Sequence, residues 1–412
     1  MPDYQLHTLP NGIRIIHKQV THTKIAHSGF MLDIGSRDEK PEELGIAHFW
    51  EHMAFKGTKK RKSFHILNRL ETVGGELNAY TTKEKLCFYA SVLDNHFEKA
   101  FDLLTDITFN SVFPGKEIEK ERGVILEEMA MYLDTPEDAV IDEFDNVIFG
   151  NHSLGNNILG TRESVSGFKK ADFLKFIQDN MSTNRLVFCS VSNLPFDKVL
   201  KLSQKYLAPL PRIESSRERQ PFSQYQPNRV NLEKPITQAH CMIGCPAYAL
   251  ADEKRIPFFM LSNILGGPGM NSRLNLAVRE KHGLVYTIDA NYTTYIDTGL
   301  FGIYFGTEKK QLNRTTSLVL KELKILREKP LGTVQLHTAK EQLMGQLAMA
   351  EESNIGLMMM LGKSILDLDK VETLNEIFDQ IRGITAKQLQ DIANEVLHED
   401  NLSYLNYIPA NN

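Results

Sequence analysis

Apolar residues recur every second position in some stretches of the chain and every third or fourth in others, and the two periods divide it into strands and helices. Alternation, or a short continuous apolar run, predicts strands over 13–18, 24–34, 76–82, 86–93 and 185–192. Helical spacing predicts helices over 43–56, 95–110, 116–133 and 169–180. The segments 76–82 and 86–93 lie close enough in sequence to form a hairpin. A sheet built from such neighbours is mainly antiparallel, and long amphipathic helices cover it, which is the α+β class.

The pattern then occurs a second time. AHSGFMLDIGSRDEK at 26–40 resembles AHCMIGCPAYALADEK at 239–254, each a strand that leads through a turn into a helix. NAYTT at 78–82, with the strand that follows it, resembles ANYTT at 290–294 with its own. The chain therefore reads as two homologous halves of one α+β unit. Between them, APLPRIESSRERQPFSQYQPNR at 208–229 is rich in Pro, Ser, Arg and Gln and poor in aliphatic residues, the composition of a linker. The expected organisation is a first half at 1–207, a linker at 208–229 and a second half at 230–412.

Composition narrows the function classes. A chain of 412 residues, 42% hydrophobic and 24% charged, is an ordinary globular protein large enough for two cores. A net charge of −5 gives no bulk attraction to nucleic acid or to an anionic membrane. The basic run Lys59 to Lys62 reads as a solvated loop. No stretch reaches the length of uncharged apolar residues that spans a bilayer, and the first residues lack a signal-peptide pattern. The expected location is the bacterial cytoplasm, with a previously cleaved leader as the other case. Cys87, Cys189, Cys241 and Cys245 form no C-x-x-C pair, and the last two alternate along a strand, so they read as buried thiols.

Candidate chemistry gathers in GIAHFWEHMAF at 45–55. His48 and His52, four apart on a helix, stand one above the other and can meet one tetrahedral metal ion, with Glu51 on the same side. The order H-x-x-E-H inverts the commoner H-E-x-x-H arrangement and is the inverzincin pattern. A purely structural role would make the histidines caps of a core and leave Glu51 in water. Ile46, Phe49, Trp50, Met53 and Phe55 interleave with them, however, so the segment is apolar nearly all round. A buried carboxylate without a partner is costly there. Two imidazoles also need a third protein ligand. In the helix over 116–133, Glu121, Val124, Ile125 and Glu128 share one face, which sets two acids on an apolar stripe, whereas Glu117, Lys120 and Glu127 lie elsewhere. Taken alone, those two acids also fit an ordinary charged helix.

The chain resembles the pitrilysin family of zinc peptidases, in particular the short bacterial members related to the mitochondrial processing peptidase. Glu128 follows His52 by 76 positions, inside ERGVILEEM at 121–129, which is the interval and the setting of that family's third ligand. GNHSLGNNILGT at 150–161 matches a further family segment, with Ser153 where proline is usual. The resemblance implies a clamshell of two halves and one Zn2+ per chain, held by His48, His52 and Glu128. Glu51 is then the general base and Glu121 a supporting acid. In the second half the corresponding helix carries Phe258, Met260, Leu261 and Ile264 instead of ligands. LGGPGMNSRL at 265–274 lacks the lysine and hydroxyl residue of a phosphate loop and matches the family's glycine-rich segment.

Arg279 and Tyr286, within VREKHGLVY at 278–286, match the pair that family members place across the chamber from zinc. A single short chain with one ligand half and one Arg/Tyr half implies a homodimer. Asn78, Ala79, Tyr80 and Thr81 match the strand to which an extended peptide substrate adds. The implied activity is zinc-dependent cleavage of unfolded peptides in a closed dimeric chamber. The alternative is a non-catalytic or partner-dependent subunit of a processing peptidase.

Overall fold

The computed structural model describes residues 4–410. Among them, strands β1 (Gln5–Thr8), β2 (Arg14–Gln19), β3 (Ile25–Leu32), β4 (Glu76–Thr81), β5 (Leu86–Leu93) and β6 (Leu186–Ser192) form one sheet in the order β1-β2-β6-β3-β5-β4. Strands β7 (Arg229–Lys234), β8 (Ala239–Ala247), β9 (Val285–Thr294), β10 (Gly299–Thr307) and β11 (Ser403–Pro409) form another in the order β7-β11-β8-β10-β9. With β1 set aside, the two orders correspond strand for strand. Each sheet is antiparallel except for one pair, β2 with β6 and β7 with β11. The hairpins β4–β5 and β9–β10 were legible from local pattern. The parallel pairs join strands far apart in sequence and leave no local signal.

Helices α1 (Ile46–Ala54), α2 (Phe97–Phe109), α3 (Gly115–Leu133), α4 (Pro136–Phe149), α5 (Arg255–Gly266) and α6 (Asn354–Leu368) lie between the strands along the chain. Four of the expected helices are present, α1 to α3 and Lys170–Asn180, and α1 is shorter at both ends than its apolar pattern suggested. In α3, Ile125 and Glu121 are buried, but Val124 is 50% exposed, so the apolar stripe is narrower than the sequence implied. None of the helices among the described residues is long and apolar enough to cross a membrane.

The chain forms two compact units that are discontinuous in sequence. One gathers the chain up to Met129 with Asn156–Arg219 and Met349–Thr373; the other gathers Ala130–Gly155, Gln220–Ala348 and the chain from Leu374. The first sheet is thus covered on one face by α2, where the tilted rings of Phe101 and Phe188 meet with centroids 4.3 Å apart. On its other face lies α6, from the second half of the sequence. There Leu357, Met358, Leu361 and Ile365 pack on Ile16, Val187, Cys189 and Val191. The approach is close enough that a Cβ at Gly362 would sit 3.0 Å from the Cys189 sulfur. The second sheet receives α4 in return, through Val140, Phe144 and Ile148 against Met242, Tyr304, Leu405 and Tyr407. Each buried aliphatic side chain contributes about 1.5–3 kcal/mol relative to exposure, so both exchanged helices are firmly held. All four cysteines are buried and free, as the strand-like run around Cys241 and Cys245 implied for those two.

Residues 208–228 contain neither helix nor strand, as their composition indicates. They are nevertheless fastened by charge. Arg217 reaches Asp33 at 2.7 Å and Asp38 at 2.8 Å, and Arg219 reaches both at 2.8 Å. Lys85 joins Asp33 at 3.3 Å to Asp367, just beyond the last turn of packing of α6, at 2.6 Å. Burial pushes the Asp33 carboxyl up, but the Arg219, Lys85 and Arg217 charges outweigh it and hold it at about 2. A depressed folded-state pKa stabilises the protein above the unfolded value and is lost as pH falls through the folded one. Asp33→Asn should therefore cost about 2 kcal/mol at pH 7, with the deficit shrinking between about pH 4 and pH 2. Denaturant unfolding across that range measures it, and a deficit independent of pH contradicts the assignment.

Candidate metal centre

The start of α1 is fixed before any ligand is placed. Gly45 has φ of +90°, and a Cβ there would lie 2.5 Å from the Leu159 carbonyl oxygen. Its backbone N–H and that of Ala47 donate to the Glu39 carboxylate at 2.8 and 2.9 Å. A carboxylate at a helix N-terminus satisfies amides that have no partner within the helix. Glu39 is buried, and burial pushes its carboxyl well above the ordinary range even though those two amides favour the charge. The Ser164 hydroxyl donates to the Leu44 carbonyl at 2.6 Å, so the segment just after the ILGT stretch at 158–161 also braces this turn.

From this anchored end, Ile46, Phe49, Trp50 and Met53 turn into the core, and His48 and His52 face α3. Their rings are edge to face at 4.7 Å. His48 Nε2 lies 3.7 Å and His52 Nε2 3.5 Å from the same oxygen, Oε2 of Glu128. One candidate ligand atom from each of the three residues lies within 4.8 Å of the other two. Ligand bonds of about 2.0–2.1 Å at tetrahedral angles would space donors about 3.3 Å apart, so this set fits a zinc ion with small adjustments. Two imidazoles and one carboxylate are also the donor set of an open hydrolytic zinc site.

The electrostatics of His48 and Glu128 agree with that use, and those of His52 reflect its acidic neighbours. Burial, reinforced by His52, lowers the pKa of His48 despite the pull of Glu128, which favours the neutral ring a metal requires. For His52, burial acts in the same sense but Glu128 and Glu121 outweigh it, so its pKa is raised. Glu128 is held low, first by the hydrogen bond with His52 and against the effect of burial, and so presents a carboxylate. His52 Nδ1 faces Glu121 at 3.4 Å, and Glu121 in turn pairs with Lys56 at 2.6 Å. Glu121 therefore orients the second imidazole, and Lys56 orients Glu121. Sequence reasoning missed Lys56, which lies just beyond the end of α1 and reaches Glu121 from there. His48 Nδ1 is buried without a hydrogen-bond partner among the described residues, so that ring has no counterpart of Glu121 on its far side.

Glu51 lies beside the cluster. Burial, outweighing the Thr81 hydroxyl and the neighbouring His52, pushes its carboxyl above the ordinary range. Thr81 donates to Glu51 Oε2 at 2.6 Å. Asn78, Ala79, Tyr80 and Thr81 all fall on β4, which is the edge strand of its sheet. Arg279 and Tyr286 belong to the other compact unit. Arg279 sits in a π-helical turn, Asn275–Glu280, a rare local geometry that is enriched at functional sites. Its guanidinium lies 5.7 Å from the centroid of the Tyr286 ring, and Tyr286 is 84% exposed.

Comparison with known proteins adds independent findings. Residues 14–162 match the insulinase family, peptidase family M16, and residues 167–343 match the peptidase M16 inactive domain. An uncharacterized zinc protease, YmxG, of Bacillus subtilis is 33% identical over 394 residues, covering 96% of each chain. An uncharacterized zinc protease of Streptomyces coelicolor is 34% identical over 403 residues, which is 95% of this chain and 86% of that one. Among solved structures, a peptidase M16 inactive domain from Pseudomonas fluorescens superposes with a TM-score of 0.92 at 19% identity, covering 99% of both chains. A protease from Helicobacter pylori gives 0.91 at 19% identity over 99% of this chain and all of that one, 100%. At that identity the two structures establish the fold.

The geometry of Glu121 makes a direct prediction. Partners that orient a ligating imidazole typically matter by about 10–100-fold in metal affinity, so Glu121→Gln should weaken zinc binding by that order while the fold persists. Competition with a chelator of known affinity measures the change. Unaltered affinity would mean that Glu121 only pairs with Lys56.

Proposed function

The chain belongs to the M16, or insulinase, peptidase family, and from that membership and the convergent ligands we propose that it is a zinc-dependent endopeptidase for unfolded peptides. The observation that carries the reading is the approach of His48, His52 and Glu128 to one point with Glu51 at its side. His48 and His52 would each offer Nε2 and Glu128 one oxygen, with one zinc ion per chain. A zinc ion bound there would polarise a water molecule and the scissile carbonyl. Glu51 takes the proton from the attacking water and passes it to the departing amine, work for which a pKa raised toward neutrality suits it.

Substrate binding falls to the edge of β4. Among the described residues this strand is paired on one side, with β5, so the backbone groups of residues 78–81 can accept an extended peptide as a further strand. Binding through backbone hydrogen bonds reads side chains weakly, which favours unfolded segments of varied sequence. A cation and a phenol can hold the carbonyl and stabilise the oxyanion formed on attack. We assign that task to Arg279 and Tyr286, supplied across a closed homodimeric chamber by the opposite subunit. The working location is the bacterial cytoplasm. The intact set of ligands and base weighs against a non-catalytic or partner-dependent subunit.

Two measurements bear on these assignments. Chelator-sensitive cleavage of an unstructured fluorogenic peptide should be abolished in Glu51→Gln, a loss of at least about 100-fold, with the metal retained. A Glu51→Gln variant as active as wild type would remove the proposed base. Light scattering should give the mass of two chains, and a monomer that cleaves at full rate would overturn the shared-chamber arrangement.

A further inference from the structure

The edge strand β4 uses its side chains in two opposite directions. Tyr80 points to the face covered by α6, where its hydroxyl lies 3.8 Å from the Met359 sulfur and its ring lies 6.3 Å from that of Tyr89. Thr81, the next residue, points to the other face, as strand alternation requires, and its hydroxyl reaches the Glu51 carboxylate of α1 at 2.6 Å. Thr81 is also paired through its backbone to Leu86 of β5. Its free edge is the one an added strand would use.

We propose that Thr81 is a positioning residue that sets the orientation of Glu51 for proton transfer and links it to the strand that receives the peptide. The proposal rests on the zinc-peptidase reading and deepens it. A β-branched side chain on a strand has a restricted χ1, so the hydroxyl is held at a nearly fixed point. By donating to Oε2, it ties one oxygen of Glu51 to the strand. The other, Oε1, has no hydrogen-bond partner among the described residues and is the one available to a water. A glutamate at this place without such a donor would sample several rotamers, and productive geometry for proton transfer would be populated only part of the time. With the donor on β4, any peptide strand that straightens or shifts this edge acts on the base through a single hydrogen bond. The side chains of Tyr80 and Thr81 are thus engaged with the protein, and at these two positions the backbone edge is what remains for substrate.

The test compares Thr81→Val, which keeps the shape and removes the donor, with Thr81→Ser, which keeps the donor and removes the methyl group. Wild type and Glu51→Gln are measured alongside with the same unstructured fluorogenic peptide and zinc. A hydrogen bond to a charged group implies that kcat of Thr81→Val falls about tenfold or more. KM should stay within about twofold and Thr81→Ser should retain kcat within about threefold of wild type, because the group acts on the base and not on bound peptide. Zinc affinity, measured by chelator competition, should be unchanged in both variants. In the Glu51→Gln background, Thr81→Val should cause no further loss.

An unaltered kcat in Thr81→Val overturns the inference. So does a raised KM with kcat intact, which would put the hydroxyl on the substrate, and so does a parallel loss of zinc affinity, which would make it part of the metal site. Thr81→Ala supplies the same comparison if the valine variant melts at a clearly lower temperature. Wild type without chelator-sensitive cleavage would sink the peptidase reading itself. An active wild type, an inactive Glu51→Gln and an unimpaired Thr81→Val would sink this inference alone.

Discussion

The approach of one Glu128 oxygen to two imidazoles, that of His48 buried and that of His52 half-buried, is the constraint around which the first unit is built. Such a cluster is unfavourable unless each group has a partner, because apolar surroundings raise the cost of every charge. Here the cost is distributed. His48 is kept neutral by burial, Glu128 is kept ionised mainly by its hydrogen bond with His52, and Glu121 with Lys56 secures the far side of His52. A zinc ion would remove the remaining penalty by taking the free electron pairs of all three ligands. The same low-dielectric surroundings raise the pKa of Glu51, the direction that suits the role proposed for it. One physical condition, burial of polar groups on an apolar helix, thus acts on both the proposed ligand His48 and the proposed base Glu51.

Holding that cluster requires elements that are remote in sequence. Glu39 and Gly45 fix where α1 begins, and the segment at Leu159 and Gly160 closes over its first turn so tightly that neither Gly45 nor Gly160 can carry a Cβ. A Cβ on Gly160 would come within 2.2 Å of the Leu44 oxygen. On the other face of the sheet, α6 packs through Leu357, Met358 and Leu361 and contacts Tyr80 through Met359. The second half of the chain therefore packs against the strand that borders Glu51. In the opposite direction, α4 from the first half completes the core under β8 and β11. This exchange explains why neither half of the sequence by itself encodes a complete core.

Much of this was legible in the sequence, for identifiable reasons. The spacing of His48, Glu51 and His52 is a property of a single helix, and local periodicity is the strongest signal a sequence carries. Glu128 was found through a remote interval, which only a family resemblance could connect to His52. The strands β4 and β5 were legible because a hairpin is local, and the repeat predicted the matching pair β9 and β10. The parallel pairings, the exchange of α4 and α6, and the Glu39 cap were not legible, because each depends on which distant segment packs where. Val124 shows the opposite failure. A helical stripe drawn from spacing alone included a residue that lies half in solvent, since the width of the buried face is set by the neighbouring elements.

The central claim is that His48, His52 and Glu128 form one metal site. The most direct measurement is the zinc content of the purified protein after incubation with zinc and removal of the excess, by elemental mass spectrometry. The account predicts about one zinc per chain, a stoichiometry that follows from one three-ligand site, and none in Glu128→Ala. Wild-type protein that is folded and holds no zinc, or a Glu128→Ala variant that holds as much as wild type, would contradict it.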